Sequence, residues 1–292
     1  MLEYEGDLDL LKCLSHGIER IGILGLSGGN RGAVGCAMAS VLESLDLVRY
    51  LKVIAGISTF AGPAAYLACG TLNQGKSCYW EECTTSDFIS LSPRRFWRGT
   101  TADIGYLVND VFRREIDVDA LRAFGGDVVA GVTDWETNIG ELVDVKRAAD
   151  PFLPLHASMA MPVVYRKPVY VNGRRKYDGV VGIPFPSAQI IKEWNLDGLI
   201  VFANCPKNLR ASAATRVLRA LPAGISGSRR KAVLNRHVLY QEGLEALRAS
   251  KKGLIFWGSP GIRTLTRDAK VIERCASQAY DDVLELFRHV GI

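Results

Sequence analysis

Val53-Ile54-Ala55-Gly56-Ile57-Ser58-Thr59-Phe60-Ala61-Gly62 reads as a strand, a tight turn and the start of a helix. Leu51 to Ala55 is a short β-rich run. The small residues Ala61, Ala64, Ala65 and Ala68, with Leu67, then keep helical spacing. A turn of this kind lifts a serine hydroxyl above the carboxyl end of a strand, while the next helix aims its N-terminal amides at whatever sits there. Ser58 is therefore the first candidate nucleophile. Gly56 supplies the first glycine of G-x-S-x-G, but Phe60 stands where the last belongs. Short glycine and serine patterns recur by chance, so the surroundings of the turn must carry the reading.

Upstream, Ile21, Ile23, Leu24 and Leu26 read as a buried strand. It runs into Ser27-Gly28-Gly29-Asn30-Arg31-Gly32, and Val34, Ala37, Met38, Val41, Leu42 and Leu45 then continue at helical spacing. A glycine loop at a helix N-terminus exposes backbone N–H groups that suit a phosphate or a developing oxyanion. Two strand-loop-helix units in tandem predict parallel pairing, with both loops at one sheet edge and the glycine loop beside Ser58.

Downstream, Gly70 to Arg98 loses periodicity and carries the basic aromatic run Arg94-Arg95-Phe96-Trp97-Arg98. It is read as an excursion over the active edge, either a lid or an irregular connector. Val128–Thr133 and Glu141–Val145 predict a hairpin, Phe152–Met161 a short helix, and Asn172-Gly173 a hairpin turn. Tyr177-Asp178-Gly179-Val180 follows, with Asp178 at a strand end and well placed to reach into a site. Gly198–Ala203 and Leu254–Trp257 read as further buried strands, and the C-terminus as an amphipathic helix. The expectation is an α/β fold with a mostly parallel central sheet flanked by helices, in one domain spanning 1–292.

Composition is that of an ordinary globular protein, 48% hydrophobic and 23% charged, which is enough for a large core. Seven cysteines without C-x-x-C spacing read as reduced core thiols. A zinc site is not expected, since no histidine lies near the one close pair, Cys78 and Cys83, and no cofactor is expected. The acidic start is unlike a secretory signal, and no apolar run approaches the roughly 20 residues that span a bilayer, so a cytoplasmic protein is expected. Net charge is +5, but Lys207 to Lys252 holds eleven Lys or Arg against two acids. That region reads either as a solvated helix face or, with Arg94, Arg95 and Arg98, as a contact for an anionic membrane surface.

The chain resembles the patatin-like phospholipases, serine and aspartate lipid acyl hydrolases, through three motifs in the family's order. They are the glycine loop 27–32, the elbow Gly56-Ile57-Ser58-Thr59-Phe60 and Asp178-Gly179-Val180, with Ala157-Ser158-Met159-Ala160-Met161-Pro162 as a lead-in. The likeness covers about residues 20–205. Each motif departs by one glycine, at Ser27, Phe60 and Val180. The resemblance implies a three-layer α/β/α fold, a Ser58/Asp178 dyad and an acyl-enzyme. It also implies an oxyanion hole from the amides of Gly28, Gly29 and Asn30, supported by Arg31, Gly32, Gly56 and Gly179. A phospholipid or other acyl ester would be the substrate.

A histidine triad is the nearest rival, because Ser58, Asp178 and His237 follow the α/β-hydrolase order. His237 is read instead as a surface or packing residue and His156 as structural. Arg31 is read as bracing the glycine loop through a salt bridge. Nucleotide binding is not expected, since the loop lacks both G-x-x-x-x-G-K-[ST] and G-x-G-x-x-G, and no nucleic-acid partner is expected. Phe60 is expected either to push the helix start outward or to line the acyl channel. The competing class is a patatin-like protein that binds lipid or scaffolds without turnover.

Overall fold

A computed structural model describes residues 2–90, 92–162, 164–208 and 227–292. The middle of the basic run Lys207–Lys252 therefore lies outside the described residues. The two tandem units form as expected: β2 (Ile21–Gly25) and β3 (Val53–Ile57) pair in parallel, with Ile23 opposite Ile54. Together with β4 (Asp127–Asp134), β8 (Gly198–Ala203) and β9 (Gly253–Trp257) they make a five-strand parallel core in the order β9-β8-β2-β3-β4. Antiparallel strands complete the sheet: β1 (Glu3–Gly6) beside β9, the hairpin β6 (Val169–Val171) and β7 (Arg174–Asp178), and β5 (Gly140–Asp144) on β4.

The core strands are apolar throughout because both sheet faces are covered. Ile23, Ile54, Ile200, Phe202 and Phe256 point to one side, where the helices Gly32–Ser44, Ala61–Ala68 and Ala269–His289 pack. Their neighbours Leu24, Ala55, Val201 and Ile255 point to the other, against Phe185, Ile190, Leu244 and Leu247 of the segment 185–193 and the helix Gly227–Ser250. This period-two division produces the three-layer α/β/α arrangement.

The register of β4 positions the site. Val129–Gly131 pair with both β3 and β5, while Val132 and Thr133 pair with both β5 and β7. A strand has two edges, so β3 and β7 must share one of them, meeting end to end. Ile57 pairs with Gly131 and Asp178 with the next residue, Val132. The residue after Ile57 is Ser58. The β4–β7 pairing is pinned by a buried cross-strand ion pair, Lys176 Nζ to Asp134 Oδ2 at 2.9 Å, which Arg174 joins at 2.8 Å. Burial pushes the Asp134 carboxyl up, but hydrogen bonds from Lys176 and Thr137 outweigh it and hold the group well below its usual range.

Residues 78–89 of the expected excursion are packed inward rather than held as a cover, with Cys78, Tyr79, Cys83 and Phe88 buried. The short helix Pro93–Arg98 stands at the surface.

Candidate active site

Ser58 follows β3 directly and takes φ +57°, a left-handed conformation that costs a non-glycine residue about 1–3 kcal/mol. Its N–H donates to Ser158 Oγ at 2.9 Å, which holds the turn. Gly56 is required for the helix to close over the strand, because a Cβ there would lie 2.6 Å from the Phe60 carbonyl oxygen. The Ser58 hydroxyl donates to Asp178 Oδ2 at 2.8 Å.

Asp178 ends β7 and caps the one-turn helix Gly179–Gly182, accepting the Val180 N–H on Oδ1 at 2.9 Å. Its backbone is fixed on both sides. The N–H donates to the Ala160 carbonyl at 3.2 Å, and the carbonyl accepts the Thr133 hydroxyl at 2.8 Å. Gly179 lies directly on β4, where a Cβ would land inside the Gly131 carbonyl group. Burial pushes the Asp178 carboxyl up to about 7, while the Val180 amide, the Ser58 hydroxyl and the Arg236 charge pull it down.

The glycine loop is tied to the same turn. Thr59 Oγ1 donates to the Gly29 carbonyl at 3.0 Å, and the Tyr79 hydroxyl donates to the Thr59 carbonyl at 2.7 Å. Gly32 leaves room for this contact, since a Cβ would sit 2.6 Å from Thr59 Oγ1. Gly29 takes φ +59°. The Gly28 and Gly29 amides have no acceptor among the described residues, which suits them to a developing oxyanion.

Asn30 departs from its expected role. Its N–H is committed to the Thr264 carbonyl at 3.0 Å, and its side-chain amide donates to the carbonyls of Cys83 and Thr266. It anchors the loop. Arg31 braces the loop as expected, but through the Gly28 carbonyl at 3.4 Å rather than through a salt bridge.

Neither histidine of the rival readings joins the pair. His237 is exposed, with Nδ1 against the Leu234 carbonyl at 2.8 Å. His156 bonds the Tyr165 hydroxyl at 2.9 Å, and burial pushes its imidazole down to about 4. Phe60 packs into the core. Its ring is fully buried over Gly25 of β2 and stacks on Phe202 at 6.3 Å.

Two supporting residues escaped the sequence reading. Ser158 was visible only as part of a lead-in motif, although a serine inside the apolar helix Phe152–Met159 signals a buried partner. Asn204, which follows β8, takes the Gly35 N–H at 3.0 Å and donates to the Leu26 carbonyl, locking the glycine-loop helix onto the sheet. No comparable signal marks Asn204 in sequence.

The structure thus brings a strained serine turn, an adjacent buried carboxyl and a glycine loop to one edge of a three-layer α/β/α fold. A family profile described as Patatin-like phospholipase matches residues 27–189, and the chain belongs to that family. A comparison with curated proteins found no match. Among solved structures, the crystal structure of VipD from Legionella pneumophila aligns over 99% of this chain and 70% of its own, at 12% identity and a TM-score of 0.46.

Proposed function

We propose that the chain, as one catalytic domain, is a lipid acyl hydrolase of phospholipase A type that works through Ser58 and Asp178. The observation that carries this reading is the 2.8 Å hydrogen bond from Ser58 Oγ to a buried Asp178 carboxyl. Family membership supports lipid acyl hydrolysis in general. In the proposed sequence Ser58 Oγ attacks the ester carbonyl carbon and passes its proton to the Asp178 carboxylate. The N–H groups of Gly28 and Gly29 stabilise the resulting oxyanion, each worth about 3–4 kcal/mol when well placed. The carbon–oxygen bond to the leaving alcohol then breaks, and Asp178 returns the proton to that oxygen. Water attacks the acyl-enzyme, again giving its proton to Asp178, which restores the Ser58 hydroxyl as the carboxylic acid departs.

Two residues acting as one unit give non-additive losses. Ser58→Ala and Asp178→Asn are each expected to remove nearly all turnover of a soluble ester and of phospholipid vesicles, and the double variant to cost little more. His237→Ala is expected to stay within a few fold of wild type. Turnover surviving Ser58→Ala would remove the mechanism. A folded wild type without any turnover would favour a lipid-binding or scaffolding role.

A further inference from the structure

The helix Pro93–Arg98 presents an exposed aromatic surface. Trp97 is 80% exposed and Phe96 43%, while Arg94 and Arg98 flank them, also exposed and without an ion pair among the described residues. Arg95 differs from its neighbours. It turns inward, donating to the carbonyls of Ser86 at 2.9 Å and Asp87 at 2.7 Å, and approaches Asp103 at 3.9 Å. Removing Arg95 from the surface leaves a helix that puts its aromatic residues and two cations outward.

A second segment extends the patch. Arg166 donates its backbone N–H to the Gly99 carbonyl at 2.7 Å and its guanidinium to the carbonyls of Phe96 and Trp97, and it lies over the Phe96 ring at 5.6 Å. Lys167 follows, exposed. Neither 92–98 nor 164–170 contains an acidic residue. The patch is tied to the candidate active site through the chain that carries Arg166: Tyr165 N–H donates to the Met161 carbonyl at 2.8 Å, and the preceding Ala160 carbonyl accepts the Asp178 N–H.

Three described cations of the basic run Lys207–Lys252 are engaged within the fold. Lys207 and Arg248 both pair with Glu5, and Arg229 lies 3.9 Å from the centroid of the Trp135 ring.

We propose that the helix Pro93–Arg98 is the membrane anchor of this protein, seating Trp97 in the head-group layer of an anionic bilayer with Arg94, Arg98 and Lys167 against lipid phosphates and carboxylates. The proposal rests on the reading of a lipid ester as substrate. An indole has an apolar body and one N–H donor, which suits the boundary between acyl chains and head groups. Arg94, Arg98 and Lys167, exposed and without an ion pair among the described residues, match a negative surface, although Asp87 and Asp103 lie close by around Arg95.

Sedimentation of the full chain with vesicles tests this, using phosphatidylcholine alone and phosphatidylcholine mixed with phosphatidylserine. Trp97→Ala is expected to lower partitioning onto the mixed vesicles about tenfold. Arg94→Gln and Arg98→Gln are expected to lower it about fivefold each, with little effect on phosphatidylcholine alone. Soluble-ester turnover should stay unchanged in all three. Unaltered partitioning of Trp97→Ala, or a wild type that ignores both vesicles, overturns the anchor. So does concentration-dependent self-association lost in Trp97→Ala without vesicle binding, which would make the patch a protein interface. Binding through Trp97 by a protein that hydrolyses no ester would keep the anchor and remove the catalytic reading, whereas ester turnover without vesicle binding would remove only the anchor.

Discussion

Phe60 fills the space above Gly25, so the glycine missing from the elbow is matched by a glycine on the neighbouring strand. The departure from G-x-S-x-G was legible in sequence. Its resolution was not, because the compensating residue sits in a different element. A fully buried Phe of this kind contributes packing, and Phe60→Ala is expected to cost about 3–5 kcal/mol in a urea unfolding curve. The relative rates on short and long acyl esters should not change, since the ring faces the core. Ser158 has the opposite character. Ser158→Ala leaves the Ser58 N–H without its acceptor, which costs about 1–3 kcal/mol and loosens a strained turn. The expected signature is a fall in kcat on a soluble ester with KM little changed. An unchanged kcat would show that the turn holds without this bond.

At the scale of elements, β4 acts as the ruler that sets Ser58 against Asp178, and Gly179 is the contact that lets β7 reach it. Gly179→Ala would drive a methyl group into the Gly131 backbone and move Asp178 away from Ser58. A misplacement of about 1 Å can cost about a hundredfold in rate, and a loss of at least that size is expected, together with a lower melting temperature. Val180→Ala should stay within a few fold, because only its N–H serves Asp178. The parallel core strands and their helices were legible because unbroken apolar runs and helical spacing mark elements buried on both sides. β1 was not: it is an edge strand, largely exposed, and carries no buried pattern. Ser58 and Asp178 stood out because close backbone approach demands a glycine near each, Gly56 two residues before Ser58 and Gly179 directly after Asp178. The end-to-end meeting of β3 and β7 depends on two separate registers to β4, Ile57 with Gly131 and Asp178 with Val132, which local pattern does not encode.

Across the whole molecule, Asp178 and His156 have opposed effects on stability. The folded Asp178 pKa of about 7 lies above its ordinary value of 3.8, so its contribution is fully present below about pH 4 and is lost as pH rises through 7. The folded His156 pKa of about 4 lies below its ordinary 6.5, so its contribution is present above about pH 6.5 and is lost as pH falls through 4. Asp178→Asn keeps an acceptor for the Val180 N–H and removes a buried charge. It is therefore expected to melt several degrees above wild type at pH 8 and close to wild type at pH 4. Equal melting at both values would mean that Asp178 titrates near its ordinary range. The same shift should give the pH profile of kcat/KM a rising limb near pH 7, where the base ionises. The most direct test of the Ser58–Asp178 pairing is covalent labelling of the folded chain by a fluorophosphonate, located by peptide mass mapping. Labelling at Ser58 that is abolished in Ser58→Ala, strongly slowed in Asp178→Asn and faster as pH rises through 7 is expected; a folded wild type that takes no label, or takes it on another residue, would contradict the account.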